Sequence, residues 1–139
     1  MKIIGIDYGD TRTGLAISDV EERLAFSIGV VSARTIEDAA NLVSQKIIEN
    51  DAKKAVLGLP KNMDGSEGFR AEKTRRFAEA LTKLHPDMPI NFLDERLTTK
   101  AATFFLNETN TRGKKRKNTV DTVAAQIILQ DYLDKSKNK

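Results

Sequence analysis

The sequence has no cysteine and no tryptophan, a single histidine and only 6% aromatic residues. Without cysteine there is no disulfide, no thiolate zinc site and no cysteine nucleophile. The lone histidine, His85, stands in the turn His85-Pro86-Asp87 without the partners that a histidine-based metal site or triad needs, and reads as a solvated loop residue. The aromatics form no RNP-like pair and no base-reading motif, so nothing here separates RNA from DNA as a ligand. Long apolar runs are also missing: none approaches the roughly 18 residues that cross a bilayer. Met1-Lys2-Ile3-Ile4-Gly5-Ile6-Asp7 runs directly into a strand pattern with no signal-peptide cleavage pattern, which leads us to expect a cytoplasmic protein with no membrane partner.

What is present is ordinary globular composition, 40% hydrophobic and 31% charged. A chain of 139 residues has room for one core, so a single domain over residues 1–139 is expected. The formal net charge is +3, yet Arg112-Gly113-Lys114-Lys115-Arg116-Lys117 supplies five positive charges, leaving the remainder net acidic. The basic character is local.

Residues 2–9 and 12–19 are β-prone runs separated by Asp10-Thr11, and a third run covers 24–32, which predicts an antiparallel meander. Thr35 and Asp38 then form a helix-capping pattern, and Ala39, Leu42, Val43 and Ile47 recur at helical spacing up to Asn50. A short buried strand over 54–58 stops at Leu59-Pro60, and Asn62-Met63-Asp64-Gly65-Ser66-Glu67-Gly68 reads as a loop. Residues 69–84 are a helix with Phe77, Leu81 and Leu84 inward and Arg70, Lys73 and Arg76 more exposed. Residues 89–94 are a last strand and 97–106 a helix; 107–118 read as a basic loop and 119–135 as a final helix buried through Val120, Val123, Ala124, Ile127 and Leu133. This order gives an α/β layer fold with a mixed sheet, without repeats.

Three carboxylates interrupt the pattern where chemistry is plausible. Asp7 ends a strand face of Ile3, Gly5 and Gly9; it is either a turn cap or an acid kept near the backbone for a ligand, and the glycines leave room for a phosphate or metal. Asp94-Glu95-Arg96 ends the last strand, in the crevice zone where open α/β sheets bind ligands, and alternation lets only one of the two acids face Asp7. The local alternative is pairing with Arg96 or capping of the next helix. Asp121 falls in the first turn of the expected last helix, where the helix dipole stabilises an anion whatever its role. Together, two strand ends and a helix start can hold hard cations through oxygen ligands, and paired Mg²⁺ ions about 4 Å apart can activate water and stabilise a leaving oxygen. The basic run just before Asp121 is either a solvated loop or a phosphate contact.

Four motifs, in order, resemble the YqgF family, also called RuvX: Gly5-Ile6-Asp7-Tyr8-Gly9 with Arg12, Gly14, Ala16 and Asp19; Gly58-Leu59-Pro60 with Asn62-Met63-Asp64-Gly65; Asp94-Glu95-Arg96-Leu97-Thr98-Thr99; and Val120-Asp121 with Ala124-Ala125-Gln126-Ile127-Ile128-Leu129. The resemblance spans nearly the whole chain. It implies an RNase H-like fold, a five-stranded mixed sheet of order 3-2-1-4-5 with helices on both faces, and a Mg²⁺-dependent nuclease, Mn²⁺ being a substitute. The implied substrate is structured nucleic acid, above all the 5′ end of the small-subunit (16S) rRNA precursor, met on a ribosomal precursor particle. Some relatives are linked instead to four-way DNA junctions. Carried over by motif, Asp7, Glu95 and Asp121 become catalytic acids and metal ligands. Arg12, Asn62, Asp64 and Arg96 become groups that touch the substrate or orient the acids; Lys114, Lys115, Arg116 and Lys117, outside these motifs, are candidate phosphate contacts by their charge alone. Asp94 is the rival to Glu95.

One departure stands out. Resolvases place an acid at the end of the fourth strand, where this chain has Leu59-Pro60. With the implied order, Glu95 stands two strands from Asp7, roughly 10 Å at the backbone. Closing that distance takes a long side chain or a curled strand end. The competing functions are junction resolution, for which the chain would act as a homodimer rather than a monomer, a non-catalytic RNA-binding assembly factor, and nucleotide binding, because Asp7-Tyr8-Gly9-Asp10-Thr11 resembles the first phosphate loop of actin and sugar-kinase folds. The last needs two such domains, and the chain has length for one.

Overall fold

A computed structural model describes residues 1–95 and 113–137, with the backbone alone for 113–122 and 137. Its strands are β1 (Ile3–Asp7), β2 (Arg12–Ser18), β3 (Ala25–Ser32), β4 (Lys54–Leu59) and β5 (Ile90–Asp94). The described helices are α1 (Ile36–Glu49), α2 (Phe69–Leu84) and α3 (Gly113–Lys137). The strands form one sheet of order β3-β2-β1-β4-β5. β1 to β3 are antiparallel, as the short turns predict, whereas β4 and β5 run parallel to β1.

Pleat alternation sorts the core into two layers. Ile4, Ile6, Leu15 and Leu57 pack against Ala39, Val43 and Ile47 of α1 and Phe77 and Leu81 of α2. On the other face Ile3, Ala16, Val56 and Leu93 pack against Ala125, Ile128, Leu129 and Leu133 of α3. Because β1 and β4 are covered on both sides, they read as nearly unbroken apolar runs rather than alternating ones. Thr35 caps α1 as its sequence suggests, accepting a hydrogen bond from the Asp38 N–H at 3.1 Å. α3 is tied to the edge strand β3 by Gln126, which donates to the Ala25 carbonyl at 3.0 Å, and by Gln130, which accepts from the Ala25 N–H at 2.9 Å.

Gly5 sets how closely α3 approaches the sheet. A Cβ there would lie 2.6 Å from Leu129 Cβ and 3.1 Å from the Ala125 carbonyl oxygen, neither of which is a flexible side-chain end. We expect Gly5→Ala to push α3 outward and to destabilise the protein by about 1–3 kcal/mol, as overpacking does. A thermal midpoint equal to that of the wild type would contradict this.

Several sequence expectations change. The basic residues Lys114, Lys115, Arg116 and Lys117 lie on helical backbone, not in a loop, because α3 begins at Gly113. Lys and Arg have helix propensities near that of Ala, and a helical turn beyond the core carries no apolar period to reveal it. Asp121 is thereby moved from the first turn to about two turns inside the helix, where the dipole no longer accounts for it. The buried stripe of α3 runs through Ala125, Ile128 and Leu129, while Ala124 and Ile127 are only partly buried. Leu84 is exposed at the end of α2. His85 is not merely solvated: it is half-buried, and its Nε2 pairs with Ser44 Oγ of α1 at 2.7 Å. The expected helix over 97–106 and the remainder of the basic segment, including Arg112, lie outside the described residues.

Candidate active site

The carboxyl ends of the parallel strands β1, β4 and β5 meet at one edge of the sheet, where β1 stops at Asp7, β4 at Leu59 and β5 at Asp94. Asp7 shares the α3 face with Ile3 and Gly5 by alternation. Leu93 also belongs to that face, so the next residue but one, Glu95, is directed to the same side and Asp94 to the opposite one. Two strand spacings still separate Glu95 from Asp7.

Gly58 removes the obstacle. It lies in β4 opposite Leu93 of β5, between the two acids. A Cβ on Gly58 would meet Glu95 Oε1 at 2.6 Å and Glu95 Cγ at 3.2 Å, so the Glu95 side chain lies across the bare glycine backbone. Its carboxyl reaches Asp7 and shares a side-chain hydrogen bond with it. A glycine inside an apolar strand marks a close approach; that was the available signal, since Ala55-Val56-Leu57-Gly58-Leu59 is otherwise a continuous buried run.

Burial raises the Glu95 carboxyl above the usual glutamate range; the hydrogen bond with Asp7 and the Arg70 guanidinium draw it back, and the Asp94 charge pushes it up again. Two carboxyls in contact oppose each other's full ionisation. A raised acid lends stability below its unfolded value, and this stability is lost as the pH climbs through the folded value. Glu95→Gln keeps the hydrogen-bonding shape without an ionisable proton. In chelator-treated protein we expect the variant to melt above the wild type at pH 8, with the difference shrinking towards pH 4.5. A gap that is constant with pH would rule out an upward-shifted Glu95.

Of the other candidates, Arg12, Asn62 and Asp64 lie on segments at the same edge of the sheet. Arg12 opens β2 beside Gly9, whose missing Cβ leaves room for the Arg12 carbonyl. Asn62 and Asp64 close the loop after β4 around Ser66: Asn62 Nδ2 donates to Ser66 Oγ at 3.0 Å, and Asp64 Oδ1 accepts from the Ser66 hydroxyl at 2.6 Å and from its N–H at 2.9 Å. These bonds shape the loop. Arg96 lies outside the described residues, as do the side chains of Asp121 and Lys114, Lys115, Arg116 and Lys117. Residue 121 does fall one helical turn before Ala125, on the stripe of α3 that meets the sheet. Arg70, in the first turn of α2, went unnoticed as a site residue because its spacing marked only an exposed helix face. Among the described residues no group of three acids or histidines is placed to hold a metal ion, and no helix is long and apolar enough to cross a membrane.

A mixed sheet of order 3-2-1-4-5, with helices on both faces and an acid pair at the carboxyl edge of its parallel strands, defines an RNase H-like α/β protein. The family model described as "RuvX: Holliday junction resolvase" matches residues 1–135. The chain belongs to the RuvX family. Among its relatives, the "Putative pre-16S rRNA nuclease" of Halothermothrix orenii is 45% identical over 134 residues, 96% of this chain and 95% of that one. The protein of the same description from Lactiplantibacillus plantarum is 43% identical over 141 residues, 97% and 95% of the two chains. Among solved structures, Thermus thermophilus RuvC in complex with a Holliday junction substrate superposes with a TM-score of 0.65 at 14% identity, covering 100% of this chain and 97% of that one. The fowlpox virus Holliday junction resolvase gives a TM-score of 0.57 at 11% identity, covering 98% and 99%. At such identities the structural likeness speaks for the fold.

Proposed function

We propose that this chain is a cytoplasmic, single-domain, divalent-metal-dependent nuclease that trims the 5′ end of the 16S rRNA precursor, with Asp7, Glu95 and Asp121 as its acids. The observation that carries this reading is the passage of Glu95 over Gly58 to Asp7. It brings to the end of β4 the carboxyl that resolvases draw from β4 itself. The relatives named as pre-16S rRNA nucleases support the choice of substrate.

The donor set suits a hard cation. Two hydrogen-bonded carboxyls offer oxygen ligands to Mg²⁺ or Mn²⁺ when both are ionised, and residue 121 falls on the helix stripe that meets the sheet. Asp7, Glu95 and Asp121 would hold the metal, which when bound supplies an activated water and neutralises charge on the leaving oxygen. The chain's own residues do the rest. Gly58 keeps the path of Glu95 open, burial screens the Glu95 carboxyl from water, and Arg70 limits the repulsion between Glu95 and Asp94. Arg12, Asn62, Asp64 and Arg96 are assigned to the substrate's surroundings. Lys114, Lys115, Arg116 and Lys117, at the start of α3, are assigned to its phosphates.

Junction resolution is the second reading, favoured by the description of the family model. The purified chain, with Mg²⁺ or Mn²⁺, should be offered an RNA carrying the 16S precursor's 5′ flank and a four-way DNA junction. We expect kcat/KM to favour the RNA by at least about tenfold. The opposite ratio would establish the resolvase reading, and tight RNA binding without cleavage of either substrate would leave a non-catalytic assembly factor.

A further inference from the structure

The first turns of α2 place an aromatic ring and two cations at the same carboxyl edge of the sheet as the acid pair. Phe69, the first residue of that helix, is 70% exposed. Large apolar side chains stabilise a fold by being buried, so a ring left in water here adds little to it. One turn on, the Lys73 ammonium lies 4.5 Å from the ring centroid and also reaches Asp10 Oδ1 at 3.0 Å. Lys73 thus ties the ring to the β1–β2 turn, three residues beyond Asp7. Arg70, the next residue, lines a small cavity with Gly9, Asp10, Pro60 and Lys73 and acts electrostatically on Glu95. Ring, guanidinium and carboxyl pair are therefore linked through Lys73 and Arg70 at the carboxyl edge of the sheet. Lys73 occupies one face of the ring, and exposure this high leaves the other in water.

The geometry points to Phe69 as a stacking platform for one unpaired base of the substrate, with Arg70 against the phosphate of that nucleotide. This rests on the nuclease reading and extends it: the strand to be cut enters the acid pair with a base splayed out, so the site takes single-stranded or frayed nucleic acid in preference to continuous duplex. Stacking suits this role because every base offers a π-face, and an edge-reading pocket is not required. Phosphate on Arg70 would add a charge-assisted contact of defined geometry.

The test uses the full chain in chelator, where cleavage cannot interfere, with single-stranded RNA carrying 2-aminopurine at successive positions and a blunt RNA duplex as probes. Phe69→Ala should weaken single-strand binding about tenfold, the size of one base–aromatic stack. It should also abolish fluorescence quenching at one position, leaving duplex affinity and melting temperature unchanged. Phe69→Trp should restore both binding and quenching. Equal affinities and persistent quenching in Phe69→Ala would overturn the platform. Cleavage measured in parallel with Mg²⁺ separates the two readings. Asp7-dependent cleavage with indifference at Phe69 removes the platform alone, while Phe69-dependent quenching without any cleavage removes the nuclease alone.

Discussion

Asp7→Asn is expected to lower metal-dependent cleavage by about 10²- to 10³-fold or more, the loss seen when one preorganised charge-stabilising group is removed. Asn has nearly the shape of Asp and can still hydrogen-bond to Glu95, so packing around the β1 end is kept. What disappears is a negative oxygen ligand, and hard divalent cations depend on such ligands. RNA affinity should be unchanged or higher, since a negative charge beside the phosphate is gone. Single-turnover cleavage and binding on the same RNA measure the two effects separately. Cleavage within a few-fold of wild type, or full rescue of rRNA processing in cells by this variant, would end the nuclease reading.

The second large effect lies at a residue with no functional group. Gly58→Ala adds a methyl 2.6 Å from Glu95 Oε1 and 2.5 Å from Ile128 Cδ1, and both of those atoms are side-chain ends that can move. We expect a stability loss of about 1–3 kcal/mol from overpacking. Activity should fall towards the level of Asp7→Asn as Glu95 is turned away from its partner. Adding Ile128→Val, which deletes the clashing Cδ1, should recover much of the melting temperature and none of the activity. A Gly58→Ala enzyme with wild-type kcat would show that Glu95 need not cross β4.

Much of this was legible in the chain. The meander, the capped α1, the short β4 and the sheet order followed from local periodicity and from four motifs that resemble one family. Asp7 stood out because alternation put a carboxylate at the end of an apolar strand face. The start of α3 was missed, since apolar periodicity reports burial and the first turns of that helix carry lysines instead. Arg70 and Phe69 were missed as well, because helical spacing distinguishes inward from outward residues and not one outward residue from another.

Glu95 shows where local reading ends. By itself the sequence determined that an acid stands at the end of the last strand and that roughly 10 Å of sheet lies between it and Asp7. Whether that distance is crossed depends on what projects from the intervening strand, a contact between residues 37 positions apart. The tertiary structure decided it: β4 sets Gly58 in register between the two acids, and the space left by its missing Cβ lets the Glu95 side chain lie flat across the backbone and hydrogen-bond with Asp7.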